Sequence, residues 1–341
     1  MPPLPYQATE VRFPHPTGGF ELAGTLTIPA GPGPHPAAIL LSGSGPQDRD
    51  ESLVGHRPFL VLADHLTRHD IAVLRYDDRG FGESGGDHFS STTADFATDA
   101  LAALAHLQTR PDIDPQRIGL IGHSEGALMA PLADNNRPDA IAYLVLLAGP
   151  GVPTDQLLQR QAQDRLQSLG VTDELAARAR HSQRRTLALL KSNEKTPQDI
   201  AQELEALMLE EVRSLSPKDR AAMGVSEAMV PPQVQQMTTP WFRHLVTMDP
   251  APALEKVRCP VLAVCGEKDS QVAAASNLAG IETALNKANN PDVTLKAYPG
   301  LNHLFQACDT GSIAEYATIE ETMNPQVLED VATWINKRFG N

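Results

Sequence analysis

The chain has 341 residues, 41% of them hydrophobic, which is enough for one large domain carrying an insertion. A formal net charge of −14, with no Lys/Arg run beyond pairs such as Arg184-Arg185, argues against a nucleic-acid partner. No stretch approaches the ~20 apolar residues of a membrane span, and "MPPLPYQATE" lacks the charged and apolar regions of a leader, so the expectation is a cytoplasmic protein, or an exported one whose leader has been removed.

In chain order, two β-like runs come first, "TEVRFP" and "ELAGTLTIP", with "TGG" between them as a hairpin turn. Short, continuous apolar runs follow: Ala37 to Leu41, Ile71 to Tyr76, Arg117 to Gly122 and Ala140 to Gly149. Continuous rather than alternating apolarity predicts strands buried on both faces of a parallel sheet. Helical patterns separate them: "RPFLVLADHLTRHD", "TTADFATDALAALAHLQTR" (with Thr92 and Asp95 spaced as a capping box) and "EGALMAPLAD". Strand alternating with helix predicts an α/β, doubly wound, mostly parallel sheet. The alternation stops at Gly149 and resumes near Pro260. Between them, three Gln-, Arg-, Glu- and Leu-rich segments read as helices. The expected organisation is therefore a core from residues 1–150 and 251–341 with a helical cap from 151–250. "PVLAVCG" and "DVTLKAYPG" complete the sheet, and "PQVLEDVATWINKRF" is a closing helix.

Two pentapeptides fit G-x-S-x-G: Gly122-His123-Ser124-Glu125-Gly126 and Gly82-Glu83-Ser84-Gly85-Gly86. At average Gly and Ser usage a chain of this length contains about 0.1 such matches by accident, so context must separate them. A serine nucleophile needs a strand before it, a tight turn around it and a helix starting just after it. Ser124 has all three; Ser84 lies between polar loop segments. A serine also needs a base, and the base an orienting carboxylate, in the chain order Ser, acid, His. Asp269 follows the "PVLAVCG" strand, with Glu267 as its competitor, and His303 is the only histidine beyond position 244. Two backbone N–H groups should stabilise an oxyanion: Glu125, and Ser44 in the loop after the first apolar run, with Gly43 as the alternative to Ser44. His123 is expected to pack or line the pocket. Trp241 and Phe242, where the cap returns to the sheet, are expected to line it too, or to pack the cap's interior.

Three cysteines, Cys259, Cys265 and Cys308, form no C-x-x-C pair, and the odd count points weakly to a reducing compartment. Asp48, Asp50 and Glu51 form an acidic cluster without a matching ligand set, and read as a solvated or salt-bridged loop. No metal and no organic cofactor is expected.

The segments "LSGSGPQDRD", "YDDRGFGESGG", "GHSEG", "GEKDSQV" and "GLNHLFQ" together resemble the α/β-hydrolase superfamily, over nearly all of the chain outside the cap. The "DDRGFGES" loop looks like the D-x-R-G-x-G-x-S loop of its serine aminopeptidase and monoglyceride-lipase-like branch, where it is structural. "TPWFRHLVTMDPAPALEKVRCPVLAVCGEKDSQV" looks like bacterial esterases of that branch. One departure is Ser42-Gly43-Ser44-Gly45, where many relatives have His-Gly. The resemblance implies a serine carboxylesterase acting on a small-molecule ester of short to medium acyl chain. An aminopeptidase-like peptidase, a thioesterase and a non-catalytic binding or receptor protein are the alternatives. Oligomeric state is left open.

Overall fold

The computed structural model describes residues 4–340. In chain order it contains β1 (Gln7–Pro14), β2 (Glu21–Ile28), β3 (His35–Leu41), α1 (Pro58–Arg68), β4 (Ala72–Tyr76), α2 (Thr93–Gln108), β5 (Ile113–His123), α3 (Gly126–Asn136) and β6 (Leu144–Leu147). Then come α4 (Thr154–Ser168), α5 (Asp173–Leu190), α6 (Pro197–Ser214), α7 (Pro217–Met223), α8 (Val230–Met237) and α9 (Pro240–Thr247). The chain closes with α10 (Ala251–Leu254), β7 (Val261–Gly266), α11 (Ala274–Lys287), β8 (Val293–Tyr298) and α12 (Pro325–Phe339).

The strands form one sheet in the order β1-β2-β4-β3-β5-β6-β7-β8. β1 and β2 pair antiparallel, as do β2 and β4; every pair from β4 to β8 is parallel. Ile39 sits opposite Leu74 on one side and Leu120 on the other, so the central strands are apolar at successive positions. β3, β4 and β6 are buried at every residue, which is why they read as continuous rather than alternating runs. α1 and α12 share a core with this sheet through Phe59, Leu62 and Leu66, Val327, Val331 and Ile335, and strand residues Leu40, Ile121, Val145 and Val264.

The largest differences from the sequence reading are in two strands. β5 begins earlier, at Ile113, and β6 begins only at Leu144. The latter has a local cause: Asp139 is left-handed (φ 66) and the Ala140 N–H bonds the Arg137 carbonyl, so a turn occupies residues that read as strand.

The chain divides into two compact units: residues 4–88, 93–152 and 250–340, and residues 89–92 with 153–249. The second unit holds α4 to α9 and its own core of Leu187, Leu190, Ile200, Leu204, Val212, Val230, Val234 and Val246. Four of its helices, α5, α6, α7 and α9, start at side-chain caps. Thr196 and Asp199 make a reciprocal capping box on α6, and Thr172, Ser216 and Thr239 cap α5, α7 and α9. Phe89 joins this unit from outside the contiguous segment, and its carbonyl accepts the Trp241 N–H.

Candidate active site

Ser124 sits between the end of β5 and the start of α3 with φ 53, a left-handed conformation that non-glycine residues rarely adopt. Its flanking glycines are required by space. A Cβ on Gly122 would meet the Gly126 carbonyl oxygen at 2.2 Å, and one on Gly126 would meet the Leu41 carbonyl oxygen at 2.1 Å. The turn is thus too tight for any side chain at either position. Glu125 is the N-cap of α3, so the helix's free N–H end lies directly after the serine, where developing negative charge is favoured. Ser124 itself is half-buried among buried neighbours.

Asp269 and His303 arrive from two other strand ends, β7 and β8. Asp269 Oδ2 accepts from His303 Nδ1 at 2.7 Å, while Oδ1 accepts from the Gln271 and Val272 N–H groups, each at 2.8 Å. Both side chains are buried. With Nδ1–H donated to a carboxylate, a neutral His303 ring carries its lone pair on Nε2, the atom a general base uses. Glu267, the competing acid, is exposed, and its N–H goes to the Tyr298 carbonyl. The His303 loop is built by Asn302, whose Oδ1 accepts from the Leu304 and Gln306 N–H groups and whose amide Nδ2 donates to Gln306 Oε1.

Gly43 and Ser44 differ in their surroundings. The Gly43 N–H donates to Glu51 Oε1 at 2.7 Å, so that N–H is already engaged. Ser44, next to it, is exposed. A Cβ placed on Gly43 would lie 3.4 Å from the Ser124 Cβ, which puts this loop against the elbow. The Glu125 side-chain Oε1 accepts from the Thr93 hydroxyl at 2.8 Å, and its carbonyl accepts from the Leu128 N–H at 2.8 Å.

His123 is buried, with Nδ1 2.8 Å from Glu51 Oε1 and Nε2 3.1 Å from the His303 carbonyl oxygen. Its ring lies 4.7 Å from that of His303. Burial opposes charge on His123, but the Glu51 carboxylate, its hydrogen bond and the His303 carbonyl outweigh it, and the pKa is raised above the ordinary value. The acidic cluster therefore splits. Glu51 is buried in this pair, Asp50 bonds Arg75 at 2.7 Å, and Asp48 Oδ1 accepts from the Asp50 and Ser52 N–H groups. Sequence reasoning missed Glu51, because nothing local distinguishes it from its two acidic neighbours.

Ser84 has a different task. Its hydroxyl donates to the Asp77 carbonyl at 2.7 Å and accepts from the Ala23 N–H at 2.9 Å. The "DDRGFGES" loop is pinned throughout: Asp77 to Arg49, Asp78 to the Ser42 hydroxyl, and Arg79 to Asp99. Burial, with Asp99 and Glu125 adding to it, raises the Asp78 pKa well above the carboxylate range.

Trp241 and Phe242 lie in the second unit. Trp241 is buried, with its ring edge-on to Phe89 at 6.3 Å and to Phe242 at 5.9 Å; Phe242 also packs on that unit's core. The three cysteines are free thiols, and burial raises the pKa of each. Among the described residues, one cluster has metal-ligand spacing: His65 on α1, His69 at its C-cap and Glu329 on α12. None of these elements carries Ser124, Asp269 or His303. No helix among the described residues is long and apolar enough to cross a membrane.

A family model described as serine aminopeptidase, S33, matches residues 57–307, which spans the elbow, Asp269 and His303. The chain belongs to this family of α/β hydrolases. Among curated proteins it is 28% identical over 317 residues to the esterase EstD of Thermotoga maritima, covering 93% of this chain and 66% of EstD. The Pyrococcus furiosus esterase Pf2001 superposes with a TM-score of 0.58 at 16% identity, covering 99% of this chain and 93% of that one. A proline iminopeptidase of Mycobacterium smegmatis superposes at 0.56 and 18% identity, covering 97% and 98%. The last two likenesses are of fold, and the fold is shared by ester- and peptide-cleaving proteins.

Proposed function

We propose that the protein is a serine hydrolase cleaving carboxylic esters of small molecules, of short to medium acyl chain, through an acyl-enzyme. The observation that carries the reading is the buried Asp269–His303 bond of 2.7 Å, on a histidine whose ring lies against the residue preceding a strained, half-buried serine. Ser124 Oγ attacks the acyl carbon and its proton passes to His303 Nε2. Asp269 holds the ring by Nδ1–H and stabilises the imidazolium. The Glu125 and Ser44 N–H groups receive the oxyanion of the tetrahedral intermediate. Collapse returns the proton from His303 to the leaving alcohol, and water repeats the sequence on the acyl-enzyme. We assign acyl-chain preference to the second unit, Trp241 and Phe242 in particular. Esterase rather than peptidase is favoured by the likeness to EstD along 93% of the chain.

The second reading, an aminopeptidase, is favoured by the description of the matched family. Fluorophosphonate labelling with peptide mapping should place the label on Ser124. A panel of nitrophenyl esters of graded chain length beside amino-acid amides then separates the two. Turnover of amides without esters would replace the first reading by the second. An unchanged chain-length profile in Trp241→Ala would remove that residue's assignment.

A further inference from the structure

We propose that Glu51 and His123 are positioning residues: a buried ion pair that clamps the oxyanion loop and the His303 loop to the elbow. Its catalytic consequence rests on the hydrolase reading above; the pair itself does not. The continuous path runs from the Gly43 N–H to Glu51 Oε1, from His123 Nδ1 to the same oxygen, and from His123 Nε2 to the His303 carbonyl, with lengths of 2.7, 2.8 and 3.1 Å. It joins the loop after β3, the last residue of β5 and the loop after β8.

The proton arithmetic identifies the pair's state. Both partners of His123 are acceptors, a carboxylate oxygen and a carbonyl. A neutral imidazole has a single N–H and can satisfy one of them; the imidazolium satisfies both. Glu51 supplies the balancing charge. That balance matters because His303, 4.7 Å away ring to ring, must itself become a cation during turnover. The titratable groups facing His123 are Glu51, His303 and Asp269.

Glu51 is built for this use. It holds a left-handed backbone conformation, φ 53, that aims its side chain inward. Its N–H bonds the Asp48 carbonyl, and Arg75 anchors neighbouring Asp50. Both hydrogen bonds fall on Oε1, while buried Oε2 has no hydrogen-bond partner among the described residues. A single carboxylate oxygen thus bridges the Gly43 N–H and the His123 ring. With Gly43 committed, the adjacent Ser44 N–H remains to face an oxyanion. With the His303 carbonyl held by His123 and its ring held by Asp269, the base is fixed from both ends.

The test uses the full-length protein and three variants, Glu51→Gln, His123→Gln and the double. Glu51→Gln keeps the shape and removes the charge. It should lower kcat on a nitrophenyl ester by about 10- to 100-fold with KM within about twofold, short of the loss expected for removing an oxyanion donor outright. His123→Gln leaves a buried carboxylate without its counter-charge and should be worse. The double variant replaces the ion pair by two amides and should recover several-fold over His123→Gln, a sign of direct coupling that a general loss of folding would not produce. Nitrogen-15 spectra of histidine-labelled wild type at neutral pH should contain one buried ring protonated on both nitrogens, absent in His123→Gln. A kcat within about twofold of wild type in Glu51→Gln, a double variant no better than His123→Gln, or a singly protonated His123 each overturns the proposal. Failure of the hydrolase reading looks different: wild type without label on Ser124, while the His123 spectrum still decides the pair. Isosteric Glu51→Gln keeps the kinetic arm open should His123→Gln fold poorly.

Discussion

Two serines in the same five-letter pattern have opposite surroundings. The Ser84 hydroxyl spends both its donor and one acceptor on backbone groups of Asp77 and Ala23, so it cannot approach a substrate without breaking its own loop. Ser84→Ala should keep esterase turnover and cost about 1–2 kcal/mol of stability in urea unfolding, since it strands a buried N–H. Ser124→Ala should unfold like wild type and lose turnover by at least about 10³-fold together with all fluorophosphonate label. Retained turnover there, or loss of it in Ser84→Ala with the fold intact, would reverse the assignment. His123 adds a pH signature. Its pKa is raised in the folded state, so the fold holds a proton that the unfolded chain releases earlier. The stabilisation is complete below the unfolded value, about 6.5, and is lost as pH rises through the higher folded value. Thermal melts across neutral to alkaline pH should therefore fall more steeply in wild type than in His123→Gln; parallel slopes would contradict it.

At the scale of elements, α3 carries a cost that does not serve the elbow. Asp134 lies buried in its last turn, where the helix's carbonyl end disfavours negative charge, and its bond from Cys259 Sγ is long at 3.8 Å. Burial, aided by Asp139, raises its pKa to about 6. A raised carboxyl pKa stabilises the fold only while protonated, and that contribution is lost as pH climbs from the unfolded value through about 6. Asp134→Asn should thus raise stability near pH 7 by about 1 kcal/mol, allowing for solvent screening, and lose that advantage near pH 4; calorimetry at the two pH values reads it directly. The opposite element, α11, was not foreseen. Its buried positions, Ala274, Asn277, Leu278, Ile281, Ala284 and Leu285, have helical spacing, but Gly280 lowers the intrinsic preference. That glycine is needed because a Cβ there would meet the Gly151 carbonyl oxygen at 1.9 Å. A packing demand from 129 positions upstream, residue 280 against 151, overrides local propensity.

At the scale of the whole molecule, the two units have separate cores, so damage to one should be felt there first. Leu204→Ala removes a fully buried side chain from the second unit and should destabilise it by about 2–4 kcal/mol. Hydrogen exchange should then quicken in α5, α6 and α8 with β5 and β7 unchanged; uniform acceleration would mean that the units unfold together. The alternation of apolar runs with helical patterns was enough to read the parallel sheet, because strands buried on both faces and helices buried on one leave different periods in the sequence. The elbow was legible for a related reason: strand, Gly-x-Ser-x-Gly and helix are contiguous, and each signal is local. Asp269 and His303 could be ordered along the chain, but only the folded sheet brings them to 2.7 Å. The engagement of the Gly43 N–H by Glu51, the commitment of Ser84 and the burial of Glu51 against His123 were decided by tertiary structure alone. Each depends on which distant group occupies a hydrogen bond, and a sequence records the groups without their partners.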